Sequence, residues 1–175
     1  MYRLLHGHRP YWWVALNGVD KKAASLHQTP LTCETGPGNP SGHVMINVVT
    51  CLAILHLISD QLETYSLRMG LVIRRMLKNF LLVWIAIMAT SRVYISAHFP
   101  HQCALAIGLG YISFYYTKSH LNEYSKKSLL RKLGMAFWLL GSAIFIHENL
   151  QKLLGFSPHW SIDMAKKYCA KVRTT

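Results

Sequence analysis

The sequence predicts an all-α fold, a multi-pass transmembrane helical bundle with about four membrane helices, and three observations lead there. Hydrophobic residues fill 51% of the 175 positions and mean hydropathy is +0.19, yet the formal net charge is +12. Such a chain must segregate its apolar residues from its charges, as membrane proteins do. Four apolar stretches, Val44–Ile58, Leu77–Ile95, Phe99–Tyr116 and Leu133–Leu154, lie near the lower bound of the roughly 17–25 residues that cross a bilayer. The basic residues collect mostly in short stretches between them, as topology-setting loops do. Residues 1–175 are expected to form a single membrane-embedded domain.

The elements follow in order. Met1-Tyr2-Arg3 is followed by Leu4-Leu5-His6-Gly7-His8 and not by the apolar run of a signal peptide, so insertion is expected to rely on internal helices. Arg9-Pro10, with the proline marking a helix end, precedes Tyr11-Trp12-Trp13, an aromatic cluster of the kind that sits at headgroup level. Thr32-Cys33-Glu34-Thr35-Gly36-Pro37-Gly38-Asn39-Pro40 reads as an ordered loop, its Gly and Pro setting tight turns before a helix. Pro40-Ser41-Gly42-His43 then opens the first apolar run. Gly70 with Arg68, Arg74 and Arg75 separates the first run from the second, and Arg92 sits near the end of the second. Phe99-Pro100-His101-Gln102 starts the third. Lys118-Ser119-His120-Leu121-Asn122-Glu123, with Lys126-Lys127 and Arg131-Lys132, separates the third from the fourth.

None of the runs is a charge-free stretch of about twenty, so each taken singly fits a buried soluble helix. Four of them joined by basic loops favour a membrane bundle. The positive-inside rule makes both basic loops cytosolic. Counting crossings from there gathers the Tyr11–Gly42 segment, the Arg92–Gln102 turn and the tail after Leu154 on the opposite side. Lys166, Lys167, Lys171 and Arg173 in that tail run against the rule, but far from the first helices that usually set orientation.

Nineteen Lys and Arg against seven Asp and Glu raise the question of nucleic acid. Their placement between apolar runs argues for loops that set topology and against a nucleic-acid groove. Cys33, Cys51, Cys103 and Cys169 form no CxxC pair and have no metal-ligand spacing, so they read as packing residues; a bridge between Cys33 and Cys169, the two outside the apolar runs, is left open. Neither the histidines nor any carboxylate cluster forms a metal-binding pattern, so no metal and no cofactor is expected.

Chemistry concentrates in three places. Ser41 stands where an N-cap would be, leaving the first backbone N–H groups of the following helix free to bind an anion. Arg92 is costly inside a membrane and is therefore a functional candidate by default, and His98 follows it by six residues in Ser91-Arg92-Val93-Tyr94-Ile95-Ser96-Ala97-His98. Arg9 on its own reads as a surface charge. Together the three stretches match phosphate-ester hydrolysis, which needs fixed cations around the equatorial oxygens, an in-line nucleophile and a proton donor for the leaving alcohol.

At these residues the chain resembles the glucose-6-phosphatase catalytic subunit family, within the superfamily of type 2 phosphatidic acid phosphatases and vanadium haloperoxidases. The superfamily signature reads Lys-x6-Arg-Pro, Pro-Ser-Gly-His and Ser-Arg-x5-His-x3-Asp, and here the parts are Arg9-Pro10, Pro40–His43 and Ser91–His98. Gly7-His8-Arg9-Pro10-Tyr11-Trp12-Trp13-Val14, Thr32–Gly38 and Ala97-His98-Phe99-Pro100-His101-Gln102 look like the glucose-6-phosphatase branch. The resemblance implies that His98 attacks phosphorus to form a phosphohistidine and that His43 protonates the departing sugar hydroxyl. Arg9, Arg92, Ser41 and Gly42 would hold the phosphate. It also implies glucose 6-phosphate as substrate in glucose homeostasis, a glucose 6-phosphate transporter as partner, and an endoplasmic-reticulum membrane location with the site facing the lumen.

The chain departs from the pattern in three respects. The motif lysine falls at Tyr2, and Arg3 lies about 100° away round a helix. The terminal Asp position is Gln102, as in the glucose-6-phosphatase branch. The chain has about half the length of family members, which have about nine membrane helices, so it reads as partial at both ends. No Asn-x-Ser/Thr acceptor occurs, since Asn39 precedes Pro40. Two other readings are therefore carried: a truncated, non-catalytic membrane relative, and a lipid-phosphate phosphatase.

Overall fold

A computed structural model of the chain describes residues 7–19, 26, 29–62, 67–154 and 160–169. Among these the fold is all-helical, with no strand. The helices are α1 (Pro10–Leu16), α2 (Gly42–Leu62), α3 (Leu67–Tyr94), α4 (Pro100–Ser125), α5 (Leu129–Leu154) and α6 (Trp160–Tyr168), with a 3-10 turn at Pro30–Thr32. Each expected apolar stretch lies within or nearly within one helix, but the helices run further than the apolar residues do. Gly70, Arg74, Arg75 and the Lys118–Glu123 segment, expected in connecting loops, are helical. The reason is that arginine and lysine are good helix formers and extend a helix beyond its apolar part.

Among the described residues one helix, α2, is long and apolar enough to cross a membrane, where about four were expected. Helices α3, α4 and α5 have 28, 26 and 26 residues, or about 40 Å each at the rise of an α-helix. They have the length but do not meet the same measure of apolarity among the described residues. In α3, Lys78 and Arg92 close the apolar part at both ends.

Among the described residues two cores hold the fold. Helices α2, α3 and α4 pack around buried Val44, Val48, Cys103 and Ala106, with Leu52, Ile85, Met88, Ala89 and Val93 against them. Close approach of α4 to α2 depends on Gly110, where a Cβ would lie 2.9 Å from the Met45 carbonyl oxygen and 3.0 Å from the Val48 Cβ. The second core joins α1 to α6 through Tyr11, Trp12 and Ala165, with Trp160, Met164 and Tyr168 beside them. Tyr11 and Trp12, expected at headgroup level, are thus fully buried, and only Trp13 of the aromatic trio is exposed. Trp12 is edge-on to Trp160, and its indole N–H donates to His8 Nδ1 at 3.1 Å, so helix-to-helix packing and a hydrogen bond take the place of the interface. Pro10 begins α1, and its missing N–H costs nothing in a first turn.

Cys33 and Cys169 form a disulfide, which ties the loop before α2 to the end of α6. The three regions that counting crossings had gathered together, namely the segment before α2, the turn between α3 and α4, and the tail, do meet in the structure. The candidate site lies where they meet.

Candidate active site

Local backbone chemistry builds each part of the site. The Ser41 carbonyl accepts from Met45 N at 3.0 Å, the first bond of α2, so Ser41 stands at the N-cap as expected. After α3 the chain turns sharply. Ala97 N and His98 N both donate to the Arg92 carbonyl, at 3.1 and 3.3 Å, and Ser96 takes the left-handed conformation with φ 58°. This wrapping explains the Ser-Arg-x5-His spacing, because it folds His98 back beside Arg92 at the end of the helix.

Gln102 then locks the next segment. Its side-chain oxygen accepts from Phe99 N at 3.0 Å, which caps α4 in the manner of a capping box, and its Nε2 donates to the His8 carbonyl at 2.9 Å. A single glutamine thus fastens the chain before Arg9 to the turn carrying His98. Thr32 Oγ1 donates to the Ile95 carbonyl at 2.7 Å and fixes the loop to the same turn.

Arg9 is held from many sides and is only 3% exposed. Its Nε donates to the Gly36 carbonyl at 2.8 Å, Nη2 to Pro37 at 3.3 Å, and Nη1 to Ala97 at 3.2 Å. The same Nη1 lies 2.8 Å from Glu34 Oε2 and 3.3 Å from His98 Nε2. His98, fully buried, is oriented through its other nitrogen: Nδ1 lies 2.8 Å from the Gly38 carbonyl oxygen. A carbonyl only accepts, so Nδ1 carries the hydrogen, and in the neutral ring Nε2 keeps its lone pair toward Arg9.

The expected residues meet on a carboxylate that sequence reasoning did not single out. Glu34 Oε2 faces Arg9 and, at 3.6 Å, His98 Nε2; Oε1 faces Arg92 Nη1 at 3.1 Å and His43 Nδ1 at 3.5 Å. Arg9, Arg92, His43 and His98 therefore surround one anion, with the two histidines at different oxygens. His43 is half exposed and His98 is enclosed, which leaves the site open on the His43 side. Burial pushes the Glu34 carboxyl up, but contact with His98 and the charge and hydrogen bond of Arg9 outweigh it and bring the group down to about 2. Glu34 is a carboxylate at every ordinary pH.

Three polar side-chain atoms are buried without a hydrogen-bond partner among the described residues: Arg92 Nε, Ser41 Oγ, which lies beside the Cys103 thiol, and Asn39 Oδ1. The first two are donors on expected phosphate-binding residues. Gly42, the sixth expected residue, is the first residue of α2 and exposed. Tyr2, at the motif's lysine position, and Arg3 lie outside the described residues.

Gly38 carries a demand the motif does not announce. A Cβ there would lie 2.8 Å from the Gly7 carbonyl oxygen, 2.9 Å from that of His8 and 3.0 Å from Gln102 Nε2. Gly38→Ala is expected to cost about 1–3 kcal/mol of stability by overpacking and to move the carbonyl that orients His98. Gly42→Ala, where a Cβ meets nothing within 4 Å, should leave the thermal transition unchanged. Thermal unfolding of the two variants side by side checks the contrast.

Residues 3–125 match the family model described as the PAP2 superfamily. The chain belongs to the PAP2 superfamily. Within it the chain is similar to glucose-6-phosphatases. It is 33% identical over 183 residues to glucose-6-phosphatase catalytic subunit 1 of Rattus norvegicus, covering 96% of this chain and 48% of that protein. It is 34% identical over 178 residues to glucose-6-phosphatase 2 of Mus musculus, covering 95% and 48%. With glucose-6-phosphatase 3 of Homo sapiens it shares 32% over 176 residues, covering 95% and 47%. The chain thus spans about half the length of the curated relatives it matches. No solved structure matches it.

Proposed function

We propose that this PAP2-superfamily chain is a membrane phosphohydrolase that cleaves glucose 6-phosphate to glucose and phosphate through a phosphohistidine. The single observation that carries the reading is the convergence of Arg9, Arg92, His43 and His98 on one carboxylate. A carboxylate and a phosphoryl group offer the same recognition chemistry, oxygen atoms that accept charge-assisted bonds from guanidinium groups. With phosphate in that seat, His98 Nε2 attacks phosphorus and the bond to the sugar oxygen breaks, giving phosphohistidine. His43 gives its proton to the departing alkoxide and then takes one from the water that releases phosphate. Arg9, Arg92, Ser41 and Gly42 hold the three equatorial oxygens as charge develops on them. The tautomer imposed by the Gly38 carbonyl and the placement of the two histidines at different carboxylate oxygens support this division of labour.

We also infer that the protein is multi-pass in the endoplasmic-reticulum membrane, with the site facing the lumen and a glucose 6-phosphate transporter as partner. Rows of exposed large apolar residues support insertion of more than α2: Val72, Met76, Phe80, Val83 and Ile87 on α3, and Leu130, Phe137, Trp138 and Phe145 on α5. A disulfide beside the site supports an oxidising compartment.

The test is turnover by membranes containing this chain, with glucose 6-phosphate and phosphatidic acid assayed side by side. Preferential release of phosphate from the sugar ester is expected. Hydrolysis of the lipid alone would replace the substrate assignment, and turnover of neither would favour the non-catalytic relative.

A further inference from the structure

We propose that Glu34 is a resident anion of the phosphate seat, displaced when a phosphate group binds and returning when inorganic phosphate leaves. The inference rests on the reading of the site as a phosphate seat and names a residue to which the motifs assign no role and which the reaction scheme does not use.

The geometry is that of a bound ligand. One carboxylate touches both arginines at 2.8 and 3.1 Å and stands 3.5 and 3.6 Å from the two histidines. It is joined to them across long stretches of chain, 25 residues from Arg9 and 58 from Arg92, so tertiary folding and not local sequence brings it there. A second observation points the same way. Arg92 Nε is a buried donor left without a partner among the described residues while the carboxylate is in place. Two oxygens cannot satisfy all that the seat offers, and a tetrahedral anion brings more acceptors.

Glu34 and a phosphate dianion cannot share the seat, since like charges a few ångströms apart repel strongly in a partly buried site. The carboxyl meets the incoming phosphate as a full charge, since His98 and Arg9 hold it down to about 2 while it sits in the seat. Displacement remains, and the loop is built for a side-chain movement alone. Glu34 N donates to the Thr32 carbonyl at 2.9 Å, Tyr11 OH donates to the Glu34 carbonyl at 3.0 Å, and the disulfide at Cys33 anchors the preceding residue. Arg9 stays in place when the carboxylate leaves, because the Gly36, Pro37 and Ala97 carbonyls hold it independently. The seat is therefore preserved whichever anion fills it, and the carboxylate's return assists release of the phosphate product.

Calorimetric binding of inorganic phosphate to the purified chain and its Glu34→Gln variant tests the proposal. Removing the competing charge should raise the fraction of open seats and tighten phosphate binding about tenfold or more. Mere structural damage at Glu34 would weaken binding, so unchanged or weaker affinity in a variant with a native thermal transition overturns the proposal. The wild-type protein supplies a measurement free of any folding defect: its structure with orthovanadate should show the oxyanion between Arg9 and Arg92 and the Glu34 carboxylate moved away. A carboxylate still bridging the arginines would sink the idea. Tighter phosphate binding by Glu34→Gln without sugar-phosphate turnover in the wild type would leave this inference standing and remove the proposed substrate. Turnover with unchanged phosphate affinity would do the reverse.

Discussion

His98→Ala is expected to abolish trapping of labelled phosphate on the protein and to lower phosphate-ester turnover at least about a thousandfold, as loss of a covalent nucleophile does. The imidazole is fully buried and Nδ1 is fixed by the Gly38 carbonyl, so Nε2 is the ring atom that can reach phosphorus. The side chain sits in a tight turn closed by bonds from Ala97 N and His98 N to the Arg92 carbonyl, which alanine leaves intact. The backbone turn should therefore survive, with a midpoint lowered by the cavity and the stranded Gly38 carbonyl, while the phosphoenzyme is lost. Rapid quenching in alkaline detergent after mixing with labelled glucose 6-phosphate gives the readout, because a phosphohistidine survives alkali and hydrolyses in acid. Label that persists at wild-type level would move the nucleophile elsewhere, and His43 would then be the next residue to replace.

Arg9→Ala is expected to have the largest effect on the fold. The guanidinium is almost completely buried and serves Glu34 together with the Gly36, Pro37 and Ala97 carbonyls. Its removal strands those acceptors and leaves Glu34 less well paired, a cost of about 3–5 kcal/mol for a broken buried ion pair. In a chain of this size that lowers the thermal midpoint by roughly 10 °C. Arg9→Lys should not rescue it, because a single ammonium cannot reproduce the planar fork that reaches three carbonyls and a carboxylate. Arg92→Ala provides the contrast. Arg92 is more exposed and its described hydrogen bond goes to Glu34 Oε1, so the loss of stability should be smaller while phosphate turnover still falls steeply. Equal midpoints for the two alanine variants would show that Arg9 does not hold the loops together as its bonds indicate.

Helix identity was largely legible, and helix extent was not. Apolar runs mark where a helix must bury its side chains or meet lipid, but Arg74, Arg75 and the Lys118–Glu123 segment show that polar residues continue the same helices beyond those runs. Aromatic residues misled for a related reason. Trp12 and Tyr11 are read from sequence as interfacial, yet α6 arrives from the far end of the chain to cover them. The Cys33–Cys169 bridge was open in the sequence because two cysteines outside apolar runs carry no distance information.

The sequence by itself determined the chemical vocabulary of the site. Arg92 stands out by its cost inside a membrane, while Arg9, Ser41, Gly42, His43 and His98 join it through resemblance to a signature of short motifs, and both signals are local. Tertiary structure decided what those residues surround. Glu34 is one acid in a Gly- and Pro-rich loop until segments carrying residues 9, 43, 92 and 98 close around it. The backbone carbonyls of Gly36, Pro37, Gly38 and Ala97, which fix Arg9 and the His98 tautomer, leave no trace in any side-chain pattern. The physical reason is that a motif records which groups are needed, whereas charge pairing and hydrogen-bond direction exist only once distant stretches of backbone are held a few ångströms apart.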